Sequence, residues 1–255
     1  MRIAAIGDVH GNLPALEAVM DEICTESVDG IVVCGDTIAG PLPTETVAVL
    51  QESRVPVHFL RGNHDSDVVR FLSGQEPGGM VAKDDDAARW EASKLTREQK
   101  ASLLTWPATV EIESEPWGKI LFCHATPHNE TFVFSRLTPE AKLLSVFERL
   151  NVSLMVCAHT HMQFDRTIAD VRVVNTGSVG MCVGRTGADW LLIDDEIQFR
   201  HTDFDLNQAA ERIRQSDYPQ AESFAMDHVL QTAPESRMFE IIDQYEALQA
   251  GQSPD

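Results

Sequence analysis

Short apolar runs alternate with helically spaced segments over the first sixty residues. Ile3–Ile6, Ile31–Cys34 and Val55–Leu60 have the length and composition of buried strands. Between them, Leu13–Ser27 carries apolar residues every three or four positions, and a second helix is predicted from Thr44 to Ser53. Strand, helix, strand, helix, strand is the order of right-handed crossovers, so the pattern predicts a parallel sheet.

The pattern changes after residue 107, where short strands follow each other with few helices between them. The segments 108–113 and 119–123 predict a hairpin, and Thr138–Leu150 a helix. Val152–Cys157 predicts another buried strand. Four further short strands are predicted at 164–168, 171–174, 190–193 and 197–201. We therefore expect a more antiparallel set of strands in this half of the chain.

The chain has 255 residues, enough for one large domain or two small ones. We assign 1–204 to the main domain and 205–255 to a C-terminal helical extension packed on it, with a loose tail at 251–255. The extension has three possible roles, which the sequence leaves open: a lid over a site, a dimer element, or closure of the fold. The oligomeric state is also left open.

Net charge and composition restrict the classes of partner that we expect the protein to bind. The formal net charge of −20 disfavours strong binding to nucleic acid or to anionic membranes. No apolar run approaches the length of a membrane span, and the N-terminus has no leader pattern. The five cysteines form no C-x-x-C pair, which is typical of reduced thiols. We expect a cytoplasmic protein.

Candidate metal ligands stand where the apolar runs end. Taken singly, each has an ordinary explanation: Asp36 as a helix cap, Asn63 as a left-handed turn residue, His124 as a half-buried imidazole. Five runs that all end this way favour a shared metal site, because strand ends gather ligands in α/β sheets. The candidates are Asp8, His10, Asp36, Asn63, His124, His159 and His161.

The order of these residues resembles a known family. The motifs match, in sequence and spacing over residues 8–161, the five ordered motifs of calcineurin-like metallophosphoesterases: Asp8-x-His10, Gly35-Asp36, Gly62-Asn63-His64-Asp65, His124 and Ala158-His159-Thr160-His161. Segments 35–43 and 175–180 further resemble the small bacterial and archaeal phosphodiesterase branch. Ala125 and Ala158 stand where glycine is common, and we expect their methyl groups to narrow the site slightly.

The resemblance implies a fold and a ligand set. The fold is a four-layer αββα sandwich (α/β, or α+β) of two mixed sheets flanked by helices, and 1–204 becomes the metallophosphoesterase domain. By the family pattern one ion takes Asp8, His10 and His161, and the other takes Asn63, His124 and His159. Asp36 would bridge both ions.

These ligand types suit manganese, iron or zinc better than magnesium or calcium. Two such ions can hold a bridging hydroxide for in-line attack on phosphorus. We predict that His64 stabilises the transition state and protonates the leaving oxygen, and that Asp65 orients His64 or raises its pKa. Asn63 and Asn12 are predicted to contact the substrate, with a plain helix cap as the equal alternative for Asn12.

The predicted function is a dinuclear metal-dependent phosphodiesterase acting on a small phosphoester. A phosphomonoesterase or a nucleotide pyrophosphatase is the alternative among enzymes. The alternative outside enzymes is a catalytically silent scaffold, which some relatives with this fold have become. Such a scaffold should show eroded ligands, whereas all seven candidates and His64 are intact here. The substrate and the native metal are not specified by the sequence.

Overall fold

The computed structural model describes residues 1–78 and 82–249. The first of its two five-stranded sheets has the strand order β10-β9-β1-β2-β3. β1, β2 and β3 are parallel to one another, as predicted, whereas β9 is antiparallel to β1 and β10 is antiparallel to β9. The strands are β1 (Ile3–Ile6), β2 (Gly30–Val33), β3 (Val57–Phe59), β9 (Ala188–Ile193) and β10 (Ile197–Thr202).

The second sheet has the order β4-β5-β6-β8-β7. Its strands are β4 (Thr109–Ser114), β5 (Gly118–Cys123), β6 (Leu154–Cys157), β7 (Phe164–Ile168) and β8 (Val171–Asn175). The predicted hairpin is β4–β5, and β7–β8 is a second one. In this sheet the expected antiparallel pairing holds only for these two hairpins, which form its edges. The central strands β5, β6 and β8 are parallel, and their carboxyl ends share one edge.

Helices cover both outer faces. They are α1 (Leu13–Thr25), α2 (Pro43–Gln51), α3 (Asn63–Leu72), α4 (Ala82–Lys94), α5 (Arg97–Leu103), α6 (Leu144–Phe147), α7 (Leu206–Arg214), α8 (Ala221–Phe224) and α9 (Glu235–Gln249). A π-helical turn, Ala225–Leu230, continues α8. The single helix predicted over Thr138–Leu150 was wrong. The apolar side chains do pack, but the backbone forms a 3₁₀ turn, Glu140–Lys142, before α6.

The core lies in three apolar layers, as the alternation of side chains along each strand requires. Ile3 of β1 and Leu191 of β9 face Phe122 and Val156 of the other sheet. Ala4 and Ile6 of β1 face the outer side, where they pack against α1. A third layer, between the second sheet and α6, includes Phe147, Met155 and Val173. The four-layer αββα prediction is confirmed.

The segment after residue 205 is helical, as predicted, and contacts the rest of the molecule. Ile242 of α9 packs with Met162 and Val183, and Glu246 accepts a hydrogen bond from Thr138 at 2.5 Å. The boundary at 204 stays a prediction, and the predicted tail 251–255 lies outside the described residues. Within the described part of the chain, every helix is too short or too polar to cross a bilayer.

Candidate metal centre

The loops that leave the parallel strands interlock at one edge of the sandwich. The amide of Asp8 donates to the carbonyl of Gly35 at 3.0 Å, and that of His10 donates to Asp36 at 2.9 Å. On the other sheet, the amide of Ala158 donates to the carbonyl of His124 at 2.8 Å. Parallel pairing puts these strand ends side by side. The structure therefore brings all seven predicted ligands to one place.

The first predicted ligand set forms a compact cluster. Nε2 of His161 lies 3.4 Å from Oδ1 of Asp8 and 3.2 Å from Nε2 of His10. His10 Nε2 lies 3.9 Å from the same Asp8 oxygen. Ligand atoms of these three residues all lie within 4.8 Å of one another, which is close enough to grip one ion.

The second predicted set gathers around His124. Its Nε2 lies 3.0 Å from Oδ1 of Asn63, 3.1 Å from Nδ1 of His159 and 3.6 Å from Oδ2 of Asp36. That same Asp36 oxygen lies 3.9 Å from Nε2 of His10, in the first set. Asp36 stands between the two sets, where the family pattern expects a bridging ligand.

The protons on three of the histidines are fixed by backbone carbonyls. A carbonyl only accepts, so the ring nitrogen that meets it, Nδ1, carries the hydrogen. In a neutral ring the opposite nitrogen, Nε2, then presents a lone pair to the cluster, which is the usual arrangement of a metal-binding histidine. The pairs are His10 with Ala39 at 3.2 Å, His124 with Cys34 at 2.8 Å and His161 with Met181 at 3.1 Å.

No hydrogen-bond donor lies between these Nε2 lone pairs. Nε2 of His10 and Nε2 of His161 are 3.2 Å apart, and two neutral acceptors do not attract each other. Oδ1 of Asp8 and Nε2 of His159 are buried atoms without a hydrogen-bond partner. Buried polar atoms are normally satisfied, and exceptions need a cause. Two carboxylates, one amide and four imidazoles fit a pair of divalent transition-metal ions.

Backbone strain marks the same residues. Five of the seven non-glycine residues with positive φ in the described chain are predicted ligands. The left-handed region is unfavourable for such residues, and such strain clusters at functional sites. Here it aims each side chain inward. The residues and their φ values are Asp8 at 52°, His10 at 50°, Asp36 at 49°, His159 at 69° and His161 at 59°.

Gly62 and Ala158 are two small residues in the loops around the cluster. A Cβ at Gly62 would lie 2.1 Å from Oδ1 of Asp36, so only glycine lets β3 and β2 place their loops this close. Ala158 differs from the family glycine, yet its methyl lies in the core between the sheets, 2% exposed. The expectation that this methyl narrows the site was therefore wrong.

Burial and the neighbouring charges together set the pKa values of the cluster residues. Burial raises the pKa of Asp36, but the neighbouring imidazoles, His124 foremost, hold it below its ordinary value. Burial and the nearby His161 lower the pKa of His10 to about 3, which keeps that ring neutral. Burial lowers the pKa of His161 too, yet the negative charge of Asp8 raises it overall. A proton therefore competes with a cation at His161.

Asp65 does something other than what was predicted for it. Its carboxylate is fully buried and accepts from the backbone amides of Thr37 at 3.1 Å, Ile38 at 3.3 Å and Gly62 at 3.0 Å. It joins the loops after β2 and β3 instead of orienting the ring of His64. Burial, followed by the charge of Asp36, raises its pKa to about 7. We therefore assign Asp65 to positioning Asp36.

Asn63 and His64 open helix α3, which the sequence pattern missed. The amide of His64 donates to Oδ1 of Asp36 at 2.9 Å, so the helix start holds the carboxylate. The His64 ring lies 5.8 Å from that of His10, edge on, at the mouth of the cluster. Asn63 lies beside it and faces His124. Both residues keep their predicted places at the site.

Asn12 is a cap and not a substrate contact. Its side chain accepts from the amide of Ala15 at 3.4 Å and donates to the carbonyl of Gly180 at 2.9 Å. It is 1% exposed. Both ends of the amide are occupied, so the alternative of a plain helix cap is the one that fits.

A cleft of about 170 Å³ opens over His10 and His64. One side belongs to α4, and the other to residues 218–228 of the C-terminal segment. The sequence left a lid over a site open as one role of the C-terminal extension, but it singled out none of these residues because they form no metal or nucleophile motif. The lining residues are His10, Ala39, His64, Ala87, Glu91, Met181, Tyr218, Gln220, Ser223, Phe224 and His228.

Comparison with known proteins agrees with this geometry. An uncharacterized protein of Methanocaldococcus jannaschii is 25% identical over 241 residues, covering 86% of this chain and 94% of that protein. A hypothetical protein of Pyrococcus horikoshii OT3 superposes with a TM-score of 0.75 at 18% identity, covering 88% of this chain and 97% of its own. A metallophosphoesterase of Sphaerobacter thermophilus superposes with a TM-score of 0.66 at 22% identity, covering 89% and 97%.

The family assignment comes from a model match over most of the chain. The model of the calcineurin-like phosphoesterase superfamily domain matches residues 1–196, which include all the predicted ligands. The chain therefore belongs to the calcineurin-like phosphoesterase superfamily, a family of metal-dependent phosphoester hydrolases.

Proposed function

We propose that this protein is a phosphodiesterase with a dinuclear metal centre. The observation that carries the proposal is the convergence of imidazole nitrogens with the two buried carboxylates of Asp8 and Asp36, in two groups whose ligand atoms lie within 4.8 Å of one another. Asp8, His10 and His161 would hold one ion. Asn63, His124 and His159 would hold the other, with Asp36 between them.

Two ions bound there would lower the pKa of a water and neutralise the phosphoryl oxygens during an in-line displacement. The protein contributes the position of each ligand, fixed by the strained loops and by carbonyl contacts behind the rings. Positions fixed in advance avoid a reorganisation cost at the transition state.

His64 supplies proton chemistry in this proposal. Its ring lies beside His10 and lines the cleft, so it can reach an oxygen of a phosphoester held at the cluster. It protonates the leaving oxygen as the bond to phosphorus breaks, and it regains the proton from solvent. Its own backbone amide is committed to Asp36, which fixes the ring relative to the ligands.

A diester is favoured over a monoester by the cleft. The space above the cluster extends from His64 to the C-terminal segment, so a second substituent on the phosphorus has a surface to contact. A monoester would leave the far end of the cleft empty.

The test is a substrate panel on protein loaded with manganese, after elemental analysis of the purified chain. We expect two metal equivalents per chain, and a higher kcat/KM for bis-p-nitrophenyl phosphate than for p-nitrophenyl phosphate. A preference for the monoester would favour the phosphomonoesterase alternative. Tight metal binding without turnover of any phosphoester would favour the scaffold.

A further inference from the structure

The wall of the cleft that faces the metal centre comes from the C-terminal segment. Tyr218, Ser223, Phe224 and His228 all lie on this wall. The family model matches residues 1–196, so the wall lies outside the part of the chain that the family model covers. A specificity element belongs in such a place, because the chemistry sits on the common part of the fold.

The backbone at the wall is unusual. Residues 225–230 form a π-helical turn, in which the amide of Gln231 donates to the carbonyl of Met226 at 3.1 Å. π-helical turns are rare and occur frequently at functional sites. This one follows directly on α8, and His228 within it lines the cleft, its ring 5.2 Å from that of Phe224.

The wall is fixed to the opposite side of the cleft. Tyr218 meets the ring of Trp90 on α4 at 5.0 Å, and Lys94 of α4 pairs with Asp217. Ala225 and Val229 anchor the turn in an apolar cluster with α7. The cleft is therefore a preformed space between two connected walls, and the cost of ordering it on binding is small.

The chemistry of the wall suits a flat, polar-edged ring. The partly exposed rings of Tyr218 and His228 provide faces for stacking, with Phe224 buried behind them, and the thioether of Met181 also lines the cleft. Gln220 and Ser223 provide an amide and a hydroxyl, both at exposed positions. Aromatic faces together with hydrogen-bonding edges are what nucleobases need.

We infer that the C-terminal wall selects phosphodiesters that carry a nucleoside on the leaving oxygen. The inference rests on the proposed phosphodiesterase function and specifies its substrate class. The phosphate lies at the metal ligands, the leaving oxygen lies by His64, and the base of the nucleoside lies against the rings of Tyr218 and His228. Both of these rings are specificity-determining and take no part in the bond-breaking step.

The experiment compares two diesters with alcohol leaving groups, thymidylyl-thymidine and glycerophosphoglycerol, on manganese-loaded full-length protein. The variants are Tyr218→Leu and His228→Ala, and Asp227→Ala, exposed on the same turn, is the matched control. We expect the wild type to prefer the dinucleotide by about tenfold or more in kcat/KM. Each wall variant should reduce that ratio about tenfold, and the control should keep it.

Two results would overturn the inference. One is a wild-type preference for glycerophosphoglycerol, and the other is a wall variant that slows both diesters equally. If neither diester is hydrolysed, the proposed function fails, and calorimetric binding of thymidine monophosphate to the same proteins decides the inference alone. Binding to the wild type that weakens about tenfold in His228→Ala supports it. Absent binding, or equal binding, contradicts it.

Discussion

The metal cluster and the cleft wall face the same space but are built in opposite ways. The cluster draws its ligands from loops at the strand ends of both sheets, with strained backbone and buried polar atoms. The wall is a stretch of helices between Tyr218 and His228, in which these two residues are partly exposed, Phe224 is buried and the backbone is held by an apolar cluster. The difference teaches that the metal ligands are placed by loops of the sheets, whereas the wall to which we assign selectivity is built from helices.

The largest effect is expected where the cluster loses its shared ligand. Asp36→Ala removes the carboxylate that stands between the two ligand sets, so metal content should fall and kcat should drop by about 10³-fold or more. Elemental analysis and steady-state kinetics measure the two quantities. Retention of two equivalents of metal with normal turnover would show that Asp36 is not a bridging ligand. Asp227→Ala, on the wall, should leave metal content unchanged.

Loss of the His64 ring should leave the metal in place. His64→Ala keeps the backbone amide that donates to Asp36, but it removes the proton donor. We expect kcat to fall by about 10²–10⁴-fold with unchanged metal content. An activated ester with a good leaving group should lose less rate than an alkyl ester. Equal rates for variant and wild type would remove His64 from the chemistry.

A substitution of Asp65 tests whether its carboxylate supports the loops of the site. Asp65→Ala leaves the backbone amides of Thr37, Ile38 and Gly62 without their acceptor in a buried place. The free energy of unfolding should fall by about 2–4 kcal/mol, as measured by denaturant titration. Asp195→Ala, at an exposed position, is the control and should change it little. A neutral Asp65→Ala would mean that the loops do not depend on this carboxylate.

Metal affinity should weaken as the pH falls. Burial lowers the pKa of His124, but the charges of Asp36 and Asp8 raise it overall above its ordinary value of 6.5. The proton on His124 therefore already competes with metal at a pH above that value. Protonation removes the lone pair, so the sign is a loss of affinity on acidification. We expect the manganese dissociation constant to rise about tenfold per pH unit for each proton displaced. A constant affinity through this range would contradict the ligand role.

The smallest effect concerns the attachment of the helical segment. Arg212 of α7 pairs with Glu17 of α1 at 2.5 Å, and both side chains are more than 40% exposed. Solvent screening makes such pairs weak, so Arg212→Ala should lower the free energy of unfolding by less than about 1 kcal/mol. Ile213→Ala, beside it but buried, should cost roughly 2–4 kcal/mol. Equal costs would show that ion pairs hold the wall.

The cluster was predictable from the sequence because apolar runs are easy to recognise, and parallel strands bring their ends together. The positions of Asp8, Asp36 and the His159–His161 pair follow from that geometry. What could not be predicted depends on contacts distant in sequence. Asp65 meets amides 27 and 28 positions away, which no local pattern records.

Local patterns also failed at the starts of helices. Gly62-Asn63-His64 has the composition of a turn, and α3 begins there because the loop after β2 supplies Asp36 as a partner for its first amides. The individual residues of the cleft wall gave no signal, although a lid was one role left open for the segment, since tyrosine, serine and phenylalanine in a helix have many ordinary uses. Tertiary placement alone makes residues 218–228 part of the site.

The dinuclear centre is tested most directly by anomalous scattering from crystals of manganese-loaded protein. We predict two peaks roughly 3.5–4 Å apart, with Asp36 between them, one against Asp8, His10 and His161 and the other against Asn63, His124 and His159. A single peak, or peaks away from these residues, would contradict the account.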